Sequence, residues 1–490
     1  MNSVYQEFCP ERIPLRTFGF AISEVFLFST SISFITKSRK NIKKRFTPKK
    51  ELEQMAFFKI VTFGCKVNQY ESAFIREGLI REGWSEAAEG HRPDVVIVNT
   101  CMVTREAQSQ SRQAINRAAR EFPRSKIVAG GCYAEVLPDE VSRLKGVDLI
   151  AGNRIKGFIP AIISGKEDLD DAGGFRSSRG VPLDHLPVED FGDRTRGFLK
   201  IQDGCESFCS YCIVPYARGP LRSIEPSEAV RALRSLAEKG YKEVVLTGIH
   251  LGKYGIDLAP ATDLKNLLRM ISGEKLPLRI RLSSIEPNEV DSELIRMIAD
   301  EDWICEHLHI PLQSGDDRIL ERMNRRYGSK DYARVVHSIH ESIPLAAIGL
   351  DVMAGFPGED EGAFDNTRSL IGDLPVSYLH VFPFSPRSGT PAASFPDRVP
   401  APVVKQRAAE LRRLGQSKRS LFYSSCIGKT LTVLVQRWDP ERRMAEGLSD
   451  NYVPVQFHCP EGSENTLVRV LVEGANGKGV SARVQEETHV

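Results

Sequence analysis

The sequence predicts an α/β chain of several domains: an open parallel α/β domain, a partial (β/α)6 barrel, and a small all-β barrel. Three observations predict this. From Phe57 onward, short apolar runs alternate with segments of helical spacing. The alternation breaks once, over residues 165–195, which lack periodicity and are rich in Gly, Pro and acid. From about Ile427 the helical pattern stops, and short strands separated by turn signals take over. A length of 490 residues accommodates this division.

The first 54 residues differ from the rest. They hold "FGFAISEVFLFSTSISFIT" and then the basic run "KSRKNIKKRFTPKK". Glu24 and the many hydroxyls make the first stretch a poor membrane span, and no small-residue cleavage site follows it. Met55 is therefore expected to be the functional start, with residues 1–55 an extension or start-site artefact. No membrane association is expected. The whole chain carries a formal net charge of +2, so no global polycation announces nucleic acid. Ten cysteines are too few for a disulfide scaffold in a chain this long, and their clustering favours metal ligation in a reducing compartment such as the cytoplasm.

The expected first domain spans residues 56–165. "FFKIVTFGC", "DVVIVNTC" and "KIVAGGC" read as strands, with helices "ESAFIREGLIREGW" and "REAQSQSRQAINRAAREF" between them. Cys65, Cys101 and Cys132 each follow such a strand. Ligands of open parallel sheets bind along that carboxyl edge, so three cysteines distant in sequence are expected to converge. Three separately buried thiols would be the structural alternative.

A linker is expected over residues 166–195, followed by a domain over 196–425. Its strands are "GFLKIQ", "EVVLTGIHL", "RIRLSSI", "HLHIPLQ", "AIGLDVMAGF" and "YLHVFPFS". Six strand–helix repeats suggest a curved or partly closed barrel, short of the usual eight. Directly after the first strand comes "GCESFCSYCIVPYARG", with Cys205, Cys209 and Cys212. Zinc would want four protein ligands in a closed shell, and no local fourth ligand is in sight. Three thiolates on an iron–sulfur cluster leave one iron open for an exogenous ligand. A zinc-stabilised nucleic-acid-binding protein and an iron–sulfur electron carrier are the competing readings.

"GCESFCSYCIVPYARG" resembles the motif of radical S-adenosylmethionine enzymes as written in the methylthiotransferase family. The resemblance extends to "TFGCKVNQYES", "VNTCMVT" and "GGC". It implies a 4Fe–4S cluster on Cys205, Cys209 and Cys212 whose open iron chelates S-adenosylmethionine. It also implies a second 4Fe–4S cluster on Cys65, Cys101 and Cys132, which carries the sulfur to be inserted. Thr247 and Gly248 fall where the superfamily contacts the methionine end of the cofactor. Ser283, Glu286 and Gln313 are candidate polar contacts to it, and "DVMAGFPGE" resembles the segment near the adenine and ribose. Arg218 is a candidate catalytic residue, because a guanidinium forks onto a carboxylate or an open-cluster ligand. His250, His307, His309 and His380 are expected to line the pocket or to be satisfied by hydrogen bonds. The last region, residues 427–490, resembles the family's TRAM domain, an OB-like RNA-binding barrel.

The family has branches acting on isopentenyladenosine in tRNA, on threonylcarbamoyladenosine in tRNA, and on an aspartate of a ribosomal protein. "GCKVNQYES" and "CSYCIVPYARG" resemble the threonylcarbamoyladenosine (MtaB-type) branch. The isopentenyladenosine branch usually has Gln-Met-Asn where this chain has Lys66, Val67 and Asn68. The implied partners are a tRNA anticodon loop, S-adenosylmethionine, and an electron donor such as a flavodoxin or ferredoxin. One feature sits awkwardly: residues 427–490 carry more acid than base, whereas an RNA-gripping barrel is expected to be basic. The phosphate grip then falls to the basic helix with Lys405, Arg407, Arg412, Arg413, Lys418 and Arg419, or to a barrel face with Lys429, Arg437, Arg442 and Arg443.

Overall fold

The computed structural model describes residues 56–166, 188–192 and 194–485. The expected extension and most of the expected linker lie outside the described residues. The first domain is one parallel sheet. Its strands are β1 (Phe57–Thr62), β2 (Ser85–Glu86), β3 (Val95–Thr100), β4 (Lys126–Gly131) and β5 (Val147–Ala151), in the order β2-β1-β3-β4-β5. Central β3 is buried at every position, as its unbroken apolar run requires. The helix Arg105–Glu121 starts where Thr104 accepts a hydrogen bond from the Ala107 N–H, and it buries Ser111, Ile115 and Ala118 along one face. The short strands β2 and β5 escaped the sequence reading. β2 is too short to show a period, and β5 carries Asp148, whose carboxylate accepts from the Ile127 N–H at 2.9 Å.

The second domain contains all six expected strands: β6 (Arg196–Lys200), β9 (Glu243–Thr247), β10 (Arg279–Leu282), β11 (His307–His309), β12 (Ala347–Ala354) and β13 (Tyr378–Pro383). A small hairpin of β7 (Gln202–Asp203) and β8 (Arg222–Ser223) flanks the cysteine loop. The strands form two parallel three-stranded sheets, β10-β9-β6 and β11-β12-β13, bridged by the Ile280–Ile304 pair. This is an open, partial barrel. Alternate residues such as Val244, Leu246, Ile280, Leu282, Leu350 and Val352 enter the core under the helices. The opposite register faces the lumen and carries Glu243, Arg279, Arg281, Asp351, Tyr378 and His380.

The last region is a closed five-stranded barrel of β14 (Thr430–Asp439), β15 (Met444–Ser449), β16 (Pro454–His458), β17 (Leu467–Asn476) and β18 (Gly479–Val484), in the order β14-β15-β16-β18-β17. That order is OB-like. The sequence reading found four of these strands and missed β15, whose Gly447 weakens the strand pattern. The glycine is required there, because a Cβ would lie 2.4 Å from Val433 and 2.5 Å from the Leu434 carbonyl. The barrel docks on the second domain through two buried arginines. Arg279 donates to the Thr432 and Leu448 carbonyls, and Arg281 to those of Ser449 and Asp450.

The structure revises both expectations for a phosphate grip. In the helix Ala401–Ser425, Arg407 is buried against Glu359 and Glu361, and Lys418 donates to the Gly372 and Leu374 carbonyls. Lys405, Arg412 and Arg413 are exposed and Arg419 is half-buried. On the small barrel, Arg437, Arg442 and Arg443 cluster at the β14–β15 turn. Lys429 precedes the other end of β14, roughly 30 Å away along an extended strand, so the four do not make one face. No helix among the described residues is long and apolar enough to cross a membrane.

Candidate active site: two cysteine triads and the charged seam beside them

The first triad is assembled by the sheet. Cys65 caps the amino end of the helix Lys66–Arg81, Cys101 follows β3, and Cys132 follows β4. Gly64 lies directly on Cys101: a Cβ there would approach the Cys101 Cβ and Sγ to 2.8 Å. Ser111 fixes Cys101 by accepting from its N–H and donating to its carbonyl, each at 3.0 Å. The Asn153 amide donates to the Cys132 Sγ at 3.4 Å and to the Ala217 carbonyl at 2.8 Å, so it ties the first triad to the second domain.

The second triad is assembled by one loop. Gly204 enters it at φ +79°, where a Cβ would lie 1.8 Å from the Pro220 carbonyl oxygen; only glycine permits this crossing. The Cys205 N–H donates to the Gly219 carbonyl, and the Cys212 N–H to the Cys209 carbonyl. Phe208 turns the loop in the left-handed region, at φ 45°. The Asn324 amide donates to the carbonyls of Ser207 and Phe208, and Ser210 is bonded to the carbonyls of Arg322 and Met323. Tyr211 packs edge-on against Phe356, which places the "DVMAGFPGE" segment under the loop.

Each expected cofactor contact sits at a carboxyl strand end. Thr247 closes β9 and is buried. Gly248 follows it with no room for a Cβ, which would meet the Gln202 side chain at 2.9 Å. The Ser283 hydroxyl is buried without a partner among the described residues. Glu286 accepts from Arg325 at 2.6 Å, beside a cavity of about 350 Å³ that Cys209 also lines. Gln313 is held at φ 67°, a conformation disfavoured for a non-glycine residue and one that recurs at functional sites.

Both triads suit a bound cation. Burial, then the neighbouring sulfurs of Cys209 and Cys205, push the Cys212 thiol up to about 12. Burial likewise pushes Cys101 up to about 11. A metal centre held by three thiolates removes that penalty, because a coordinating thiol is deprotonated outright. Cys205 differs, since burial is outweighed by hydrogen bonds from His250 and Ser207 and its value falls. His250 bridges Cys205 at 3.5 Å and Glu289 at 2.8 Å. Burial would lower its imidazole, but those two partners hold it at about 9. The other three histidines are also hydrogen-bonded: His307 to Tyr378, His309 to Tyr378 and Asp351, and His380 to Asp351.

Arg218 lies next to the first triad, although its motif belongs to the second. It is buried, and it donates to Glu71 at 2.8 Å, Asp203 at 3.3 Å and Asn68 at 2.6 Å. Lys156 and Lys200 also reach Glu71, and Lys200 and Arg222 reach Asp203. Four cations thus share two carboxylates in a seam between the domains. Burial opposes ionisation of Glu71, but Arg218, Lys156 and Lys200 outweigh it and hold the carboxyl well below its usual range. Cys132 and Cys65 act on Arg218 as well. The seam's excess of positive charge is therefore matched to an anionic centre on that triad.

The sequence reading missed Glu71, Lys156, Asp203 and Gln202. Gln202 accepts from the N–H groups of Ile249 and His250 and donates to the carbonyls of Asp203 and Gly204, so it clamps the cysteine loop to the turn after β9. One signal was available: "QDG" puts two polar residues straight after a buried strand and before the loop.

A model of an uncharacterized protein family, UPF0004, matches residues 58–152, and a model of the radical SAM superfamily matches residues 199–371. The threonylcarbamoyladenosine tRNA methylthiotransferase MtaB of Aquifex aeolicus is 39% identical, over 84% of this chain and 98% of its own length. A tRNA-2-methylthio-N(6)-dimethylallyladenosine synthase of Pelotomaculum thermopropionicum is 33% identical, over 78% of this chain and 87% of its own. Among solved structures, the radical S-adenosylmethionine methyltransferase TsrM of Kitasatospora setae, with cobalamin and a 4Fe–4S cluster bound, aligns at a TM-score of 0.51. It covers 69% of this chain and 77% of its own, and at 18% identity the likeness is one of fold alone.

Proposed function

Since the chain belongs to the MtaB-type methylthiotransferase family of radical S-adenosylmethionine enzymes, we propose that it adds a methylthio group to carbon 2 of threonylcarbamoyladenosine beside the anticodon of tRNA. What carries the reading is the pairing of two three-cysteine sites, each at the carboxyl edge of a parallel sheet and joined by one buried ionic seam. When bound, the clusters and S-adenosylmethionine supply the radical and the sulfur.

In this reading Cys205, Cys209 and Cys212 hold the cluster that binds S-adenosylmethionine, and Cys65, Cys101 and Cys132 hold the second. Thr247 and Gly248 border the methionine end of the cofactor. Ser283, Glu286 and Gln313 offer polar groups to it, the unpartnered Ser283 hydroxyl first among them. Arg218 acts as a positioning residue that fixes the two domains against each other and lends positive charge to the second cluster's site. The working parts are residues 56–165, 196–425 and 427–490, with 166–195 as linker. The enzyme works in the cytoplasm and takes electrons from a flavodoxin or ferredoxin.

The test is a mass-spectrometric nucleoside profile of total tRNA from cells with and without the gene. Loss of methylthio-threonylcarbamoyladenosine, with its precursor accumulating, is the expected result. Loss of the isopentenyl-type product instead would move the substrate to the branch of the Pelotomaculum relative. An unchanged tRNA profile would turn attention to a ribosomal-protein aspartate, a substrate for which the acidic small barrel is the supporting observation.

A further inference from the structure

Lys66 opens the helix Lys66–Arg81 directly after Cys65, and this helix packs on β6 at the side of the partial barrel. The charges acting on its ammonium are those of Arg196, Arg281, Glu243 and Cys65, and Lys66 acts in turn on His307. The strand residues among these come from β6, β9, β10 and β11, so the half-buried Lys66 faces the lumen. Glu243, the carboxylate in this group, is already engaged by Arg279 and Arg281 at 2.8 Å and by Arg196 at 3.6 Å. Among the described residues Lys66 makes no hydrogen bond and no ion pair. An ammonium set among guanidiniums, partly out of water and without a counter-ion, is unfavourable until an anion arrives.

The proposed substrate brings such an anion. A threonylcarbamoyl group ends in a carboxylate, whereas a dimethylallyl group is an uncharged hydrocarbon. Its attachment point, N6, is carried by carbon 6, which is separated from carbon 2 by N1 alone, so the substituent lies close to the position being modified. With carbon 2 turned toward the Cys65 site, the N6 substituent falls within reach of a side chain that directly follows Cys65. We infer that Lys66 receives the threonyl carboxylate and thereby selects threonylcarbamoyladenosine over adenosines with uncharged N6 substituents. This rests on the function proposed above. A backbone phosphate of the tRNA is the other anion the site would accept.

The test uses full-length enzyme with both clusters loaded and two tRNA substrates, one with the free threonyl carboxylate and one with its methyl ester. KM and kcat are read from the methylthio product by mass spectrometry, and tRNA affinity by filter binding. The wild-type enzyme is expected to show a KM about 10- to 100-fold higher for the ester, the range of a lost charge-assisted hydrogen bond. Lys66→Gln should show that loss on the free acid and little further loss on the ester, while Lys66→Arg keeps the preference. Iron content per chain, measured for each variant, separates damage at Cys65 from lost recognition.

Equal handling of acid and ester by the wild type overturns the inference without any variant having to fold. An equal rise in KM for both substrates in Lys66→Gln also overturns it and assigns the lysine to a phosphate. A wild-type enzyme that leaves threonylcarbamoyl tRNA unmodified but accepts isopentenyl tRNA removes the proposed function instead.

Discussion

The two cysteine triads use one donor set and are built in opposite ways. Cys205, Cys209 and Cys212 sit on a single loop, closed by its own backbone hydrogen bonds and by glycine at one crossing. Cys65, Cys101 and Cys132 sit at three strand ends and meet because the sheet is parallel. The loop triad is local and leans on neighbours through backbone carbonyls. The sheet triad is tertiary and leans on buried charge. Loss of packing should therefore injure the second kind of site before the first.

The sharpest division comes from the cysteines. Cys209→Ala is expected to abolish reductive cleavage of S-adenosylmethionine, read as 5′-deoxyadenosine. Cys101→Ala should keep that cleavage and form no methylthio product. Each should lower iron from about eight to about four per chain. Sulfur insertion by the Cys101 variant would break the division of labour.

Next in size is Glu71→Gln. It leaves Arg218, Lys156 and Lys200 without their shared carboxylate, a change of about 3–5 kcal/mol for a broken buried pair. Iron should be lost from the sheet triad first, visible by Mössbauer spectroscopy, with the loop cluster still competent for cofactor cleavage. The same group sets a pH dependence. Its carboxyl is held below the ordinary glutamate value, so its stabilisation is full above that value and fades as pH falls through the folded one. Urea unfolding at successively lower pH should show a wild-type decline that the Gln variant lacks.

Gln202→Ala strips the acceptor from two N–H groups and frees two carbonyls, which costs about 1–3 kcal/mol. It should weaken S-adenosylmethionine binding in calorimetry while the sheet triad keeps its iron. The smallest effect is expected for Asn324→Ala, which removes two exposed bonds to the cysteine loop at about 1 kcal/mol or less. A modest rise in the rate of iron loss to a chelator is the readout.

The same contrast explains what the sequence revealed. The loop triad was legible because its residues are neighbours in the chain. The sheet triad was legible because three apolar runs each ended in cysteine. The seam was not, since Glu71, Lys156, Asp203 and Arg218 carry no shared spacing and only the packing of two domains brings them together. Arg218 shows this well: its motif places it near the loop triad, yet its partners Glu71 and Asn68 come from the first domain. The strand β15 was missed because Gly447 and Glu446 look like a turn until the facing strand is known to need the space.

The seam also bears on how the protein is made. Glu71 and Lys156 belong to the first domain and neutralise each other, whereas Lys200, Asp203, Arg218 and Arg222 all emerge later. At roughly 5–20 residues per second the ribosome exposes the first domain seconds before the rest. The nascent sheet therefore leaves the exit tunnel with its interior charge already balanced and able to collapse. The surplus cations arrive together on the second domain, after all three cysteines of the first have been made. The seam can therefore close only after the second domain has been made.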